Sequence, residues 1–252
     1  MKAHPTRKPA RRSRRGARAR EYEDRRVRWA SLARSLGGRF VQAEKGYSDA
    51  ILVPHRDWRI KADTYVGSNG NQAVTYTRVR AFFAAQDRFR VRVSPANFLT
   101  RFLGRIGFKD VRIGDPRLDR KYVIRGPDRG RVRSFFLDGR LRAVLGDQRT
   151  CHLEVKDLPW RERRHWGPGV REVLVTSKGE FLESARLKDL IQLCQATLDR
   201  LASSGAASTR SPRTADPGPS APDGRGPGTG AGERSGRRAP ASRSVPRRNR
   251  RP

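Results

Sequence analysis

Residues that build covalently stabilised or metal-binding sites are scarce in this sequence. Its two cysteines, Cys151 and Cys194, lie 43 residues apart, with no second cysteine or histidine at metal-ligand spacing. The histidines are equally scattered: His4, His55, His152 and His165. This spacing supports neither a disulfide framework nor a zinc motif and suits a reducing compartment, so no metal and no cofactor is predicted.

Long hydrophobic runs are also missing. The longest apolar run is residues 81–85, far short of the roughly 20 residues of a membrane-spanning helix. The N-terminus has paired arginines but lacks the apolar segment of a secretory or twin-arginine signal. We therefore predict no transmembrane segment and a cytoplasmic location.

No catalytic motif survives inspection. Cys151 and His152 are neighbours on a predicted strand and would point to opposite faces, while Cys194 belongs to an apolar helix stripe. There is no G-x-S-x-G, and glycine-rich spacing occurs only near the C-terminus, without a strand before it or a helix after it. These observations favour a non-enzymatic protein, although an active site assembled from scattered residues would leave no motif.

The sequence has a large excess of positive charge. The formal net charge is +32, from 57 Lys/Arg and 25 Asp/Glu, and residues 21–202 hold 37 of the basic and 22 of the acidic residues. A field of this size favours association with polyanions such as nucleic acid, anionic membrane or acidic protein. The alternative is compositional: only nine of the 57 are lysines, and a GC-rich coding sequence also produces this arginine bias.

The distribution of charge and apolar residues predicts three segments. Residues 1–20 form a basic arm without apolar residues to bury, and residues 203–252 are rich in Arg, Gly, Pro and Ser without periodicity. Both read as disordered tails. Residues 21–202 read as a single domain.

The clearest predicted element is a β-hairpin formed by residues 58–66 and 72–80 around Asn69-Gly70. A two-residue turn there places Ile60 on a face to be buried, and sets Lys61 opposite Arg78 and Arg59 opposite Arg80 on the other face. Such like-charge pairs are tolerated best beside an anion. Residues 88–93 alternate strictly, and their arginines would extend the same cationic face.

These patterns supply the candidate nucleic-acid or anion-binding residues. On the sheet face they are Arg59, Lys61, Tyr65, Tyr76, Arg78, Arg80, Arg88, Arg90 and Arg92. A loop containing Trp160 and Trp166 adds Arg161, Arg163 and Arg164, which combine guanidinium groups with indoles that could stack on bases. The alternative for this segment is an ordinary solvated loop anchored by tryptophan.

One pattern resembles a known family. Its residues are Gly114, Asp115, Leu118, Asp119, Tyr122 and Ile124, followed by an amphipathic segment. This resembles a family of bacterial proteins of unknown function with the pattern GD..FD..F.V, here with Leu118 in place of the usual Phe, over about residues 38–200. The resemblance implies a fold but no activity, cofactor or catalytic residue, and Asp115 and Asp119 read as turn residues that hydrogen-bond backbone.

Apolar spacing predicts helices over residues 21–36, 97–103 and 181–202. Residues 128–144 read as a helix capped by Asp128, with a hairpin turning at Asp138-Gly139 as the alternative. Further strands are predicted at residues 39–43, 50–53, 109–113, 119–125, 151–155 and 172–176. Together these elements predict an α+β fold, a mostly antiparallel sheet with flanking helices.

Two functional hypotheses follow from the charge and the fold. The first is a non-enzymatic protein that binds nucleic acid without sequence preference, through the basic sheet face and the basic tails. The second is an interaction or scaffold protein that acts at an anionic membrane surface or on an acidic protein partner.

Overall fold

A computed structural model of the chain describes residues 11–43, 48–69, 72–96, 109–180, 184–210 and 212. The helix predicted over residues 97–103, residues 1–10 of the basic arm and the C-terminal tail beyond residue 212 lie outside the described residues. Helix α1 spans Arg11–Ser35 and so includes the second half of the predicted arm.

In the part of the chain that the structure describes, nine strands form one sheet. They are β1 (Arg39–Val41), β2 (Ala50–His55), β3 (Trp58–Asn69), β4 (Gln72–Ala84), β5 (Val91–Pro95), β6 (Lys109–Val111), β7 (Tyr122–Gly126), β8 (His152–Asp157) and β9 (Val170–Lys178). Their order is β1-β2-β3-β4-β9-β8-β5-β7-β6, and every neighbouring pair is antiparallel. Strand β9 therefore joins the first four strands to the remaining four.

Helices cover the sheet and close its core. Besides α1 they are α2 (Pro116–Lys121), α3 (Arg129–Phe135), α4 (Gly139–Asp147), α5 (Trp160–Trp166) and α6 (Ser184–Ser203). One hydrophobic core contains Ile60, Val79 and Val175 of the sheet together with Leu190 of α6 and Trp29 of α1. The predicted α+β fold with a mostly antiparallel sheet is confirmed.

Strands β3 and β4 form the predicted hairpin, but their register differs from the predicted one by two residues. Lys61 pairs with Arg80 and Asp63 pairs with Arg78, so the predicted Lys61–Arg78 and Arg59–Arg80 oppositions are wrong. Because side chains alternate with a period of two, this change leaves each side chain on its predicted face. It also sets Arg78 opposite Asp63, with which it forms an ion pair, while Lys61 still faces a cation, Arg80.

The segment that resembles the bacterial family forms a turn and a short helix before its strand. Gly114 adopts φ +83°, in the left-handed region that favours glycine. Asp115 accepts hydrogen bonds from two backbone N–H groups of α2, and Asp119 accepts them from Ile113 and Gly114, both at 3.0 Å. The predicted turn roles of both aspartates are confirmed, whereas a strand beginning at Asp119 is wrong, because α2 occupies that position.

Residues 128–144 are helical, as predicted, and the alternative hairpin is wrong. The structure divides the segment into α3 and α4, with Asp128 and Asp138 as their N-caps. Asp138 ends the intervening turn because its side chain accepts a hydrogen bond from the backbone N–H of Leu141 at 2.7 Å. An N-cap carboxylate satisfies a donor that has no partner within the helix.

We expect Asp138→Ala to lower the free energy of unfolding by about 1 kcal/mol, since it removes this capping acceptor. Asp138→Asn keeps a side-chain oxygen at the same position and should retain most of the stability. Urea unfolding followed by circular dichroism measures both variants. Equal losses in the two would contradict the capping role.

Ordered packing continues past the end of α6. Ala206 and Ala207 are buried, and the backbone N–H of Ser208 donates to the carbonyl of Ala84 at 2.9 Å. Gly205, with φ +74°, lets the chain reverse after the helix. The first residues of the segment predicted as a disordered tail therefore pack against the end of β4.

Candidate functional site

One face of the sheet packs Ile60, Val79 and Val175 into the core. The opposite face carries a row of charged side chains, which we call the charged face. Its members are Lys61, Asp63, Arg78, Arg80, Arg92, Glu154, Lys156 and Glu172. The register joins them across β3, β4, β9, β8 and β5, because Arg80 and Glu154 both lie opposite Leu174, and Arg92 lies opposite Glu154. The face is mixed in sign, since β8 and β9 add carboxylates between the hairpin and β5.

At the centre of the charged face, most of the residues predicted to bind nucleic acid are buried. Lys61, Arg78 and Arg80 are only 3%, 6% and 3% exposed. Tyr65 is buried and stacks on the half-buried Tyr76, with ring centroids 5.3 Å apart. Lys61, Arg78, Arg80 and Tyr65 are therefore not accessible to a phosphate backbone or to bases, and Tyr76 is only partly exposed.

Asp63 organises the buried end of the charged face. Arg78 donates to it through two nitrogens, Nε at 2.7 Å and an Nη at 2.9 Å, and Lys61 Nζ lies 3.7 Å away. Burial opposes the charged form of Asp63, but the nearby charges of Arg78, Arg80 and Lys61 and the Arg78 hydrogen bonds together outweigh it, so the pKa of Asp63 lies below its ordinary value. The carboxylate is therefore held ionised between two buried cations.

Burial has the opposite effect on its neighbours. It lowers the pKa of Lys61 from 10.5 to about 8, with the Asp63 charge opposing the change. It also raises the pKa of Glu172, which lies 3.6 Å from Arg80 and 3.8 Å from Lys156. The centre of the charged face is thus a buried network of ion pairs, and Arg92 and Lys156 at its margin are half-buried.

The remaining predicted residues of the sheet divide into two groups. Arg90 and Arg92 are half-buried, and ion pairs join them to Asp157 at 3.1 Å and Glu154 at 2.8 Å. Arg59 and Arg88 are exposed. The structure therefore does not bring the nine predicted sheet residues together on one accessible surface.

Helix α5 lies over the charged face and is fixed by the residues that it turns inward. Glu162 accepts a hydrogen bond from Arg80 at 3.1 Å, and the Trp166 ring packs on Phe82 with centroids 4.5 Å apart. Residues four apart lie on the same side of a helix, so Glu162 and Trp166 form one inward side. The opposite side is left to solvent.

That outward side holds exposed cationic and aromatic residues, which we call the α5 surface: Trp160, Arg163, Arg164 and His165. Trp160 is 61% exposed, and the Arg164 guanidinium lies 4.8 Å from the centre of its ring. Arg163 Nε donates to the carbonyl of Leu158 at 2.9 Å, which limits the motion of its guanidinium. The side chain of Arg161 is not among those that the structure describes.

The sequence identified these arginines but placed them in a loop. Trp160–Trp166 contains few apolar residues, so helical periodicity was too weak to detect. The signals that were available are Pro159 immediately before the helix and the spacing of four between Glu162 and Trp166.

The nucleophile candidates are poorly placed for catalysis. Cys151 and Cys194 are free thiols and both are buried. Burial raises the pKa of Cys151 to about 11 and also raises that of Cys194. Because the thiolate is the reactive form, neither cysteine suits nucleophilic chemistry at neutral pH.

A histidine–carboxylate pair serves to anchor strands to α6. His55 Nε2 and Arg56 Nε both lie 2.9 Å from Asp199 Oδ1, and Arg140 lies 3.1 Å from Asp199 Oδ2. Arg56 has φ +52° in the β2–β3 turn, a conformation unusual for a residue with a side chain. The shared carboxylate thus holds a strained turn and α4 to the last helix.

A cavity of about 270 Å³ lies between α1 and the end of the hairpin. Tyr22, Arg25, Trp29 and Glu180 are among its lining residues, and Arg25 and Glu180 form an ion pair at 3.7 Å. The described lining includes no histidine and no cysteine.

Among the described residues, no group of three or more His, Cys, Asp or Glu is placed to hold a metal ion. No described helix has the length and apolar character needed to span a membrane.

Comparison with known proteins assigns neither a family nor a function to this chain. No protein-family model matches the chain, and no curated protein matches it in sequence. A solved structure with some likeness is the crystal structure of the mycobacterial trehalose monomycolate transport factor A, TtfA, with 12% identity and a TM-score of 0.43 over 76% of this chain and 98% of that chain. The resemblance to the GD..FD..F.V family stays a prediction.

Proposed function

We propose that this protein binds single-stranded nucleic acid without sequence preference, through the α5 surface. The observation that carries the proposal is the pairing of a 61% exposed Trp160 with Arg164 stacked 4.8 Å from its ring. An exposed indole offers a face on which any base can stack, and adjacent guanidinium groups bind phosphate oxygens. The α5 surface provides both kinds of contact within seven residues.

The packing of α5 against the sheet supports this function. Glu162 and Trp166 attach the helix to Arg80 and Phe82 of the sheet, so the outward residues project from a rigid base. A rigid platform reduces the entropy lost when a ligand binds. The buried charges of the sheet therefore contribute indirectly, by holding the helix that carries the accessible ones.

The basic composition of the whole chain supports the same ligand class. A net charge of +32 attracts polyanions at long range and accelerates association. Nonspecific attraction of this kind falls steeply with salt and does not select a position on the protein. The α5 surface would supply the localised contacts. The remaining cations would supply the nonspecific, salt-dependent attraction.

We expect Trp160→Leu to weaken binding to a short oligothymidylate about tenfold, because base stacking on an aromatic side chain contributes about 1–3 kcal/mol. Arg163→Ser with Arg164→Ser should lower the slope of log affinity against log salt by about 1.4, since each of two lost phosphate contacts contributes about 0.7 on a single strand. Fluorescence anisotropy of the full-length chain across a salt series measures both effects.

The matched control is Arg120→Ser with Arg149→Ser, which removes the same charge from two exposed positions outside α5. An equal loss in this control would assign binding to overall charge and contradict the α5 surface. Vesicles containing anionic lipid are the comparison ligand, because tryptophan beside arginine also suits a membrane interface. Vesicle binding that depends on Trp160, without oligonucleotide binding, would replace nucleic acid with membrane as the ligand.

A further inference from the structure

A second concentration of cationic side chains lies at the edge of the sheet that β6 forms. A cavity of about 420 Å³ there is lined by Asp110, Val111, Arg112, Arg129 and Arg133. We call it the arginine pocket. Its volume lies within the range of about 300–1,000 Å³ that small-molecule sites occupy.

The positions of the arginines follow from the local structure. Arg129 and Arg133 are four residues apart on α3, so their side chains lie on the same side of that helix. Arg112 directly follows β6, the edge strand. Arg133 Nε donates to the backbone carbonyl of Arg112 at 2.9 Å, and this bond ties the helix to the strand end and limits the motion of the Arg133 guanidinium.

The charges of the pocket are not balanced. Among its described lining residues the carboxylate is that of Asp110, which already accepts a hydrogen bond from Arg125 Nε at 2.6 Å. Among the residues that the structure describes, Arg112 and Arg129 have no carboxylate partner. Three guanidinium groups around one cavity repel one another, and a bound dianion would remove that repulsion.

We propose that the arginine pocket binds a phosphate group. Planar guanidinium groups match the oxygens of phosphate through paired hydrogen bonds, which favours arginine at such sites. The same chemistry is offered by a small phosphorylated molecule and by the terminal phosphate of an oligonucleotide. The described lining of the pocket includes none of the residues of the α5 surface. The phosphate proposal therefore does not depend on the proposed nucleic-acid binding by α5.

Isothermal titration calorimetry of the full-length chain with pyrophosphate at low salt tests the pocket. We expect Arg129→Ser to weaken pyrophosphate binding several-fold and Arg129→Ser with Arg133→Ser to weaken it about tenfold, since each charge-assisted contact contributes roughly a factor of several. Among the described contacts the Arg129 side chain makes no hydrogen bond or ion pair, so its single variant should test binding with little effect on the fold.

The double variant Arg120→Ser with Arg149→Ser is again the matched control, because neither residue lines the pocket. Control affinity equal to that of the pocket variants, or no pyrophosphate binding by the unmodified chain, would overturn the proposal. Arg163→Ser with Arg164→Ser should leave pyrophosphate affinity unchanged, which separates the two proposals. Displacement of pyrophosphate by a 5′-phosphorylated oligonucleotide, but not by its unphosphorylated form, would identify nucleic-acid ends as the source; displacement by nucleoside monophosphates alone would identify small molecules.

Discussion

Asp63→Asn is expected to lower the free energy of unfolding by about 3–5 kcal/mol, because it leaves buried cations without their counter-ion. Arg78 is 6% exposed and donates two hydrogen bonds to Asp63, while Lys61 is 3% exposed and lies 3.7 Å from the same carboxylate. Asparagine keeps the size of the side chain and removes the charge. Urea unfolding at neutral pH measures the loss.

The control is Asp110→Asn on the same face of the sheet. Asp110 also accepts a hydrogen bond from an arginine Nε, at 2.6 Å from Arg125, but its side chain is 61% exposed. Exposed pairs contribute about 0–1 kcal/mol. Burial is therefore the variable that separates the two substitutions, and similar losses in both would contradict the buried network.

Stability is expected to rise between pH 8 and 10.5 by up to about 3 kcal/mol through Lys61, since each pKa unit corresponds to about 1.4 kcal/mol. Burial lowers the pKa of Lys61 in the folded chain from 10.5 to about 8. Between these values the unfolded chain still holds the proton that the folded chain has released. Unfolding then requires proton uptake, so a rise in pH favours the folded state.

Lys61→Met isolates this effect from other groups that titrate in the same range. Methionine has a similar shape without the charge, and replacing a buried charge with an apolar side chain is often neutral or stabilising. We expect this variant to be at least as stable as the unmodified chain at pH 7. Urea unfolding from pH 7 to 11 should show the rise in the unmodified chain and its loss in the variant; the same rise in both would assign it to other residues.

The sequence predicted the hairpin and the face of the sheet on which each of its side chains lies. The faces are correct although the register is not, because a shift of two residues preserves the alternation of side chains. The register itself depends on which charges meet across the strands. In the observed register Asp63 lies opposite Arg78 and forms an ion pair with it, and the same carboxylate lies 3.7 Å from Lys61, which faces Arg80. A turn signal alone does not contain that information.

The sequence could not show which face of the sheet would be accessible. Alternating strands of an antiparallel sheet usually have one solvated face, so the sequence pattern predicts that the cationic side faces solvent. Its burial instead depends on contacts between residues far apart in the chain, such as Arg80 with Glu162, 82 residues later. The arginine pocket was missed for the same reason, since Arg112 meets Arg129 and Arg133 only in the folded chain.

The central position of β9 sets the order in which this protein can finish folding on the ribosome. β9 is the last strand in the described sequence, yet it pairs with β4 on one side and β8 on the other. Until residues 170–178 emerge, both neighbours have open edges that do not pair with each other. Open strand edges promote association between chains, so we expect the nascent chain to be most prone to association before the middle strand of its sheet is synthesised.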